Sequence, residues 1–298
     1  MKKTLLIVGC GDIALRAVPL LQTHYRILGL YRNLDSAENL RLHGIIPIYG
    51  NLDLPESLEK LAGISQSVLY LAPPPNQGLY DRRTAHLLSA LTRRTKKHAA
   101  ILPQRLIYIS TSGVYGDCHG ALIDETHPVH PESSRAIRRI DAERQIRNWG
   151  KRNHISVSIL RVPGIYAANR LPLTRLREGH PALLDTEDSY TNHIHADDLA
   201  RIIYAALRHA RPNRIYHTCD DSQLKMGEYF DMVADHFGLP RPPRITRIQA
   251  QEQISPAMLS FMKESKRLNN LRLRKELQVK LLYPTVSDGL KAVRKESQ

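Results

Sequence analysis

Cysteine is scarce in this chain of 298 residues, which contains only three. Cys10, Cys118 and Cys219 lie far apart, and no two of them form a C-x-x-C pair. An odd number of isolated thiols excludes a disulfide framework and provides no zinc-binding motif. We therefore expect a protein of a reducing compartment, the cytoplasm.

Long apolar runs are also missing. No segment reaches the roughly 18 consecutive apolar residues of a membrane-spanning helix. The N-terminal sequence MKKTLLIVGC imitates a lipoprotein signal peptide, but its apolar stretch, residues 5–9, is shorter than the roughly 7 to 15 residues of such a signal. Asp12 and Arg16 follow directly. We therefore predict neither a membrane protein nor an exported one.

Acidic residues are outnumbered, with 29 Asp and Glu against 43 Lys and Arg and a formal net charge of +14. Such an excess favours nucleic acid, anionic lipid or an anionic small molecule as partner. The basic C-terminal segment has no aromatic residues between its charges on which bases would stack. Its cations are Lys263, Lys266, Arg267, Arg272, Arg274 and Lys275. We therefore expect a small anionic molecule rather than nucleic acid as partner; the oligomeric state stays open.

Short β-branched segments alternate with helical ones through the first half of the chain. The predicted strands cover residues 4–9, 25–32, 45–50, 67–72, 105–112 and 154–164, with helical periodicity between them. This alternation predicts an α/β fold with a doubly wound parallel sheet, the Rossmann arrangement. We expect residues 1–167 to form a dinucleotide-binding domain. Residues 168–298 should form a smaller, mixed substrate lobe, from which 191–218 packs back on the first domain.

A glycine-rich turn joins the first predicted strand to the first predicted helix. Its sequence, Gly9-Cys10-Gly11-Asp12-Ile13-Ala14, has the form G-x-G-x-x-A. The first glycine permits a tight turn, the second lets the backbone approach a pyrophosphate at the helix N-terminus, and Ala14 allows the helix to pack closely on the strand. The turn therefore predicts a bound dinucleotide.

The end of the second predicted strand indicates which dinucleotide is bound. An acidic residue here would bond the 2′-hydroxyl of NAD, whereas a basic one accepts the 2′-phosphate of NADP. The sequence has Arg32, whose guanidinium can hold a phosphate with two hydrogen bonds. NADP is therefore favoured, with NAD as the alternative, since Asp35 lies three residues on.

Together with Arg32 and the glycine turn, the segments STSGVYG, residues 110–116, and NHIHADDLA, residues 192–200, resemble the extended and atypical short-chain dehydrogenases/reductases, the NAD-dependent epimerase/dehydratase-like family. The resemblance covers nearly the whole chain, although the family more often has a third glycine where Ala14 stands. It implies that Thr111 bonds the reacting carbonyl. It also implies cofactor contacts by Asn51 at the adenine, by Leu71, Ala72 and Pro73 at the nicotinamide ribose, and by Pro163 at the nicotinamide amide.

The family's catalytic Tyr-x-x-x-Lys pair is missing. Counting back from Ala142-Glu143, which matches the end of that motif, puts Arg139 at the Lys position and Arg135 at the Tyr position. A guanidinium keeps its charge and cannot exchange a proton as the tyrosine does. We predict that both arginines, which share a helix face, bind an anionic group, and that Arg139 also holds the nicotinamide ribose. The alternative is a solvated basic face balanced by glutamates.

Two functions remain open from the sequence. The first is an NADP(H)-dependent oxidoreductase or epimerase with a relocated acid, for which Tyr115 is the first candidate and Tyr166 and Tyr190 are others. The second is a non-catalytic NADP(H)-binding sensor or regulator. We predict no metal site, because His193 and His195 have no third ligand near them in the sequence. We expect His195 to cap a helix rather than to take part in chemistry.

Overall fold

A computed structural model describes residues 2–93 and 101–293, and within these a parallel sheet of seven strands forms the centre of the molecule. The strands are β1 (Lys3–Val8), β2 (Tyr25–Tyr31), β3 (Ile46–Tyr49), β4 (Ser67–Tyr70), β5 (Arg105–Thr111), β6 (Ser156–Val162) and β7 (Arg214–His217). Their order in the sheet is β3-β2-β1-β4-β5-β6-β7. The order reverses between β1 and β4, which is where Rossmann proteins bind ligands. The predicted fold class is confirmed.

A helix follows most of these strands, and the described residues form eleven α-helices in all. They are α1 (Asp12–Leu21), α2 (Asp35–Leu42), α3 (Arg82–Leu91), α4 (Ser134–Asn153), α5 (Leu173–Arg177), α6 (Ala196–His209), α7 (Met226–Phe237), α8 (Arg247–Gln253), α9 (Pro256–Met262), α10 (Leu271–Leu277) and α11 (Val286–Ala292). The predicted helix after β3 is a 3₁₀ helix, Pro55–Leu61. The predicted extension of α3 through residues 94–97 lies outside the described residues. None of the described helices has the length and apolar character of a membrane span.

Both faces of the sheet are covered, which explains why its strands are apolar at nearly every position. On one face, Leu5 and Ile7 of β1 belong to a core that includes α1 and α6. On the other face, Leu6 and Val8 belong to a core with α3 and α4, in which Trp149 is buried. The carboxyl ends of the strands are thereby held along one edge.

The C-terminal part of the chain divides between two places. Helix α6 packs on α1, and β7 joins the edge of the sheet beside β6. Leu273 and Leu277 of α10 also enter the core beside the sheet, a return that the sequence analysis did not predict. Helices α5, α7 and α11 form the smaller lobe around a separate apolar cluster that includes Tyr166 and Phe230.

A short strand pair ties the end of the small lobe to the loop after β5. Arg267 and Leu268 pair in parallel with Leu122 and Ile123. The backbone N–H groups of Cys118 and Gly120 donate to the Ser265 carbonyl, each at 3.0 Å. Residues 264–268 are therefore fixed beside the carboxyl end of β5.

Candidate functional site

The glycine turn is built by close packing at one residue and open space at another. Gly9 has φ 102°, and a Cβ there would lie 2.4 Å from the backbone nitrogen of Ala72. Gly11 stands just before α1, and a Cβ there would meet nothing within 4 Å. Ala14 is buried in the core beneath the turn. The turn therefore has open space on the Cβ side of Gly11, next to the N-terminus of α1.

Asp12 uses its carboxylate within the protein. Its oxygens accept from Arg16 Nε and Arg170 Nε, each at 2.9 Å, and Arg16 Nη1 donates to Asp197 at 2.6 Å. Ile13 is partly buried and packs against the core. Of the predicted cofactor contacts, Asp12 and Ile13 can thus offer backbone N–H groups rather than side chains.

A cavity of about 310 Å³ lies between the turn and the ends of β2, β3 and β4. Five of the predicted cofactor residues line it: Gly9, Arg32, Asn51, Ala72 and Pro73. Leu71 does not line this cavity; its side chain is partly buried against the core and its backbone N–H donates to the Val8 carbonyl. Its predicted cofactor contact is therefore limited to the backbone.

The far end of this first cavity is positively charged. Exposed Arg32 lines it together with Asn33 and Ser36, whereas Asp35, the first residue of α2, is not among the lining residues. Arg83 holds Asp53 with two hydrogen bonds of 2.7 and 2.6 Å, and this contact lowers the pKa of the Asp53 carboxyl. Because Arg83 neutralises the single lining carboxylate, the charge of Arg32 is available to an anion.

A second cavity of similar volume, about 310 Å³, opens at the carboxyl ends of β5 and β6. Thr111 and Pro163, both predicted site residues, line it. Thr111 ends β5, and its Oγ1 accepts a hydrogen bond of 3.2 Å from the Gly113 N–H, which begins a 3₁₀ turn. Apolar side chains form much of the remaining wall: Met226, Tyr229, Phe230, Met258 and Phe261.

Arg135 and Arg139, which stand in place of the missing catalytic pair, have different surroundings. Arg135 lines the second cavity with its guanidinium carbon 4.1 Å from the centre of the Phe261 ring. Arg139 lines neither cavity: its Nη1 donates to Tyr108 Oη at 3.0 Å and to the Ile109 carbonyl at 2.9 Å. The prediction of a shared anion site, and of Arg139 as a ribose ligand, therefore loses its geometric basis for Arg139, because this side chain points to the sheet.

The alternative of a solvated face balanced by glutamates also fails in part. Glu143 is buried and holds Arg161 of β6 with bonds of 2.7 and 3.1 Å, rather than either arginine of the pair. Helix α4 thus uses its charges for internal contacts at Glu143 and Arg139, and only Arg135 is directed to the second cavity.

Tyr115, the first candidate for the relocated acid, is fully buried behind the cavity wall. Its hydroxyl lies 2.5 Å from His217 Nε2, while His217 Nδ1 lies 3.0 Å from the Asn269 carbonyl. Nδ1 must donate to that carbonyl, so Nε2 accepts from the tyrosine. Burial raises the pKa of Tyr115 to about 12. We therefore correct its role from proton donor to structural partner of His217.

The two other tyrosines differ from each other. The Tyr166 hydroxyl donates to the Thr285 carbonyl at 3.2 Å inside the small lobe. Tyr190 lines the second cavity, with the guanidinium carbon of Arg267 5.0 Å from its ring centre. Of the three tyrosine candidates, the geometry thus retains Tyr190.

Glu264 and Lys266 line the second cavity and were missed as site residues. Lys266, placed by the sequence analysis in a basic tail, is buried, and its Nζ donates to Glu264 Oε2 at 2.8 Å and to the Gly116 carbonyl at 3.0 Å. Residues two positions apart in extended backbone point to the same side of the chain. The spacing of Glu264 and Lys266, just before a short strand, was therefore the available sequence signal that the two could lie together. Other cations of this tail also have internal partners: Arg267 with the Gly120 carbonyl, Arg272 with the Ile215 carbonyl and Arg274 with Asp221.

The histidines near α6 hold structure together. His195 Nδ1 accepts from the Asp197 N–H at 3.2 Å, which confirms the predicted capping role. His193 lines the second cavity, stacked on Tyr229 with ring centres 4.2 Å apart, and burial lowers its pKa to about 3. Within residues 2–93 and 101–293, no cluster of three His, Cys, Asp or Glu side chains is arranged to hold a metal ion.

Known proteins are similar to this chain in sequence and in fold. The profile of the NAD dependent epimerase/dehydratase family matches residues 16–219. A conserved protein of unknown function from Silicibacter pomeroyi DSS is 29% identical, with a TM-score of 0.80 and 98% of each chain covered. UDP-glucose 4-epimerase of Thermotoga maritima, solved with UDP-glucose, is 17% identical, with a TM-score of 0.77 and 97% of each chain covered.

A third similar structure is UDP-glucuronic acid 4-epimerase of Bacillus cereus in complex with NAD. It is 19% identical, with a TM-score of 0.75, and the match covers 97% of this chain and 96% of that one. At these identities the two epimerases share the fold. Among curated proteins, none matched the sequence.

Proposed function

Because the chain belongs to the NAD dependent epimerase/dehydratase family, we propose that it binds NADP(H) in the first cavity and exchanges hydride with a small anionic molecule in the second. One observation carries the proposal. The two cavities lie along the same edge of the sheet, at the carboxyl ends of β1 to β4 and of β5 and β6. This edge is where doubly wound proteins hold their ligands.

The residues of the first cavity fit a phosphorylated dinucleotide. The open space at Gly11 and the N-terminus of α1 suit the pyrophosphate, Asn51 suits the adenine end, and Arg32 with Ser36 suits a 2′-phosphate. When bound, NADP(H) supplies a hydride donor or acceptor. NAD(H) would lack the phosphate that Arg32 binds and is the weaker alternative.

The second cavity combines a polar end with apolar walls. Thr111 would donate a hydrogen bond to the reacting oxygen of the substrate. Arg135 would bind an anionic substituent, since its guanidinium lies against the Phe261 ring in the cavity wall and can hold a carboxylate or phosphate with two hydrogen bonds. Tyr229 and Phe230 would contact the apolar part of the substrate.

Titration of the protein with NADPH and NADH, followed by nicotinamide fluorescence, tests the cofactor assignment. We expect tighter binding of NADPH, and Arg32→Asp should abolish or reverse that preference because it replaces a phosphate ligand with a repelling carboxylate. Arg41→Asp is the matched control, since Arg41 is an exposed arginine of α2 outside the cavity. Equal affinities of the parent protein for both cofactors would contradict the assignment.

The second candidate function is a sensor that binds NADP(H) without turnover. The observation that favours it is the substitution of both residues of the catalytic pair by Arg135 and Arg139, with Arg139 bonded to Tyr108 and the sheet. Tight NADPH binding combined with no NADP⁺ reduction by any member of a panel of hydroxy acids and sugar nucleotides would favour the sensor over the enzyme.

A further inference from the structure

The second cavity contains a buried ion pair to which the proposed function gives no role. The side chains of Lys266 and Glu264 are 4% and 9% exposed, and 2.8 Å separates Nζ from Oε2. Removing two charges from water costs several kcal/mol, which their attraction offsets only in good geometry, so a buried pair is weak evidence for a stabilising role. A charged pair in a cleft is instead a candidate for chemistry.

The position of Glu264 relative to Thr111 gives the pair a specific place. A Cβ added at Gly113 would lie 3.4 Å from Glu264 Oε2 and 3.6 Å from Thr111 Oγ1. The carboxylate and the hydroxyl therefore approach the same glycine from the side where side-chain atoms are absent. Thr111 is the residue proposed to bond the reacting oxygen, so a carboxylate lies on the same side of the cavity as the place proposed for that oxygen.

We propose that Glu264 is the catalytic residue that exchanges this proton, and that Lys266 positions it. The inference rests on the proposed function. In the oxidative direction, the Glu264 carboxylate would take the proton from the O–H bond of a substrate alcohol, and bound NADP⁺ would supply the acceptor for the hydride from the C–H bond of the carbon that bears this hydroxyl. The alcohol would thus lose two electrons and become a carbonyl, and in the reverse direction the Glu264 carboxyl would return the proton to the oxygen.

The other groups of the site are less suited to this exchange. The Arg135 guanidinium offers only hydrogen-bond donors. The hydroxyl groups of Tyr115 and Tyr166 are engaged with His217 and the Thr285 carbonyl. Tyr190 lines the cavity too, but its ring lies beside Gly120 and Arg267, whereas Glu264 and Thr111 both lie beside Gly113. Glu264 is a carboxylate in the second cavity that a neighbouring cation fixes in place.

Cofactor binding tests the inference without a known substrate. The oxidised nicotinamide ring carries a positive charge that the reduced ring lacks, so a nearby carboxylate favours NADP⁺ over NADPH. Measured by isothermal titration calorimetry, Glu264→Gln should weaken NADP⁺ binding roughly five- to tenfold more than NADPH binding. Glu252→Gln, which changes an exposed glutamate of α8 in the same lobe, should leave the ratio of the two dissociation constants unchanged.

A second variant guards against misfolding. Glu264→Gln alone leaves Lys266 buried without its anion. The double variant Glu264→Gln/Lys266→Met removes both charges and should lose NADP⁺ preference by a smaller factor in the same direction, because no unpaired cation remains to repel the oxidised ring. The positioning role has its own readout. Lys266→Met leaves the carboxylate without its neighbouring cation and should raise the NADP⁺ preference above that of the parent, whereas Lys266→Arg should keep the preference of the parent.

The outcomes separate the inference from the function on which it rests. A parent protein that binds both cofactors, with the same affinity ratio in the parent, in Glu264→Gln and in the folded double variant, would overturn the role of Glu264 and leave the proposed function intact. A parent that binds neither NADP⁺ nor NADPH would overturn both.

Discussion

The two cavities along the carboxyl edge of the sheet are assembled differently. The first is lined by residues within a stretch from Val8 to Arg83, which lie at the ends of β1 and β2, after each of the strands β1 to β4, in α2 and at the start of α3. The second combines residues as far apart as Thr111 and Lys266, drawn from β5, α4, α7, α9 and the loops between them. The first cavity is thus built by neighbouring segments of the chain, whereas the second exists only after the distant lobe has packed.

The largest expected effect is that of a substitution in the first cavity. Gly9→Ala places a methyl group 2.4 Å from the Ala72 nitrogen at a backbone φ of 102°. We expect it to lower the free energy of unfolding by about 3 kcal/mol, through strain and overpacking together, and to abolish NADPH binding. Urea unfolding followed by circular dichroism measures the first effect.

Gly11→Ala is the matched control for this prediction. A Cβ there meets no atom within 4 Å, so stability should change by less than about 1 kcal/mol while NADPH binding weakens. If Gly9→Ala and Gly11→Ala were equally stable, the close approach of the turn to β4 would be wrong.

The next effect separates the two arginines of α4. Arg139→Ala should lower the free energy of unfolding by about 2 kcal/mol, because it removes charge-assisted hydrogen bonds to Tyr108 Oη and the Ile109 carbonyl. Arg135→Ala should cost less than about 1 kcal/mol, the scale of a partly exposed cation–π contact with Phe261. Urea unfolding measures the loss of unfolding free energy in each variant. Equal losses would contradict the different roles assigned to Arg135 and Arg139.

The effect that is smallest at neutral pH concerns the acid sensitivity of two buried histidines. Burial lowers the pKa of His193 and of His217 to about 3 each. Between about pH 6.5 and 3 the unfolded chain binds protons that the folded protein excludes, so stability falls as pH falls, by up to about 1.4 kcal/mol per pH unit for each histidine.

The variant His193→Phe tests that prediction, because it keeps the stacking on Tyr229 and removes one titrating group. The slope of unfolding free energy against pH, measured by urea unfolding between pH 7 and 5, should become shallower. His130→Asn, at an exposed histidine, should leave the slope as in the parent. A steeper slope in His193→Phe would contradict the buried neutral state.

The same difference between the two cavities bears on what the sequence could predict. Gly9 and Arg32 were predicted from a glycine turn and a strand end, which are local patterns, whereas Asn51, Ala72 and Pro73 were implied by the family resemblance; all five line the first cavity. Thr111 and Pro163 were implied by the same resemblance and line the second cavity. Strand ends in a parallel sheet meet at one edge, so residues predicted separately at the ends of different strands come together there.

The misses share a physical cause as well. Whether Tyr115 faces the cavity or His217 depends on a residue 102 positions away, and whether Arg139 reaches a ligand depends on Tyr108 of the sheet beneath it. In the sequence, Lys266 is one cation of a basic segment. Its burial and its ion pair with Glu264 depend on packing against the loop after β5, which the sequence does not show. Side-chain direction within a helix or loop is decided by such partners and not by spacing alone.

The seventh strand, β7, has a consequence for synthesis of the chain. During translation β6 is complete at residue 162, but its outer edge stays unpaired until residues 214–217 have left the ribosome and added β7. For that interval of about fifty residues the nascent sheet presents open backbone groups and the bare apolar surface that α6 later covers, features that promote aggregation. We therefore expect the nascent chain to need chaperone protection most in this window, well after its glycine-rich turn has been synthesised.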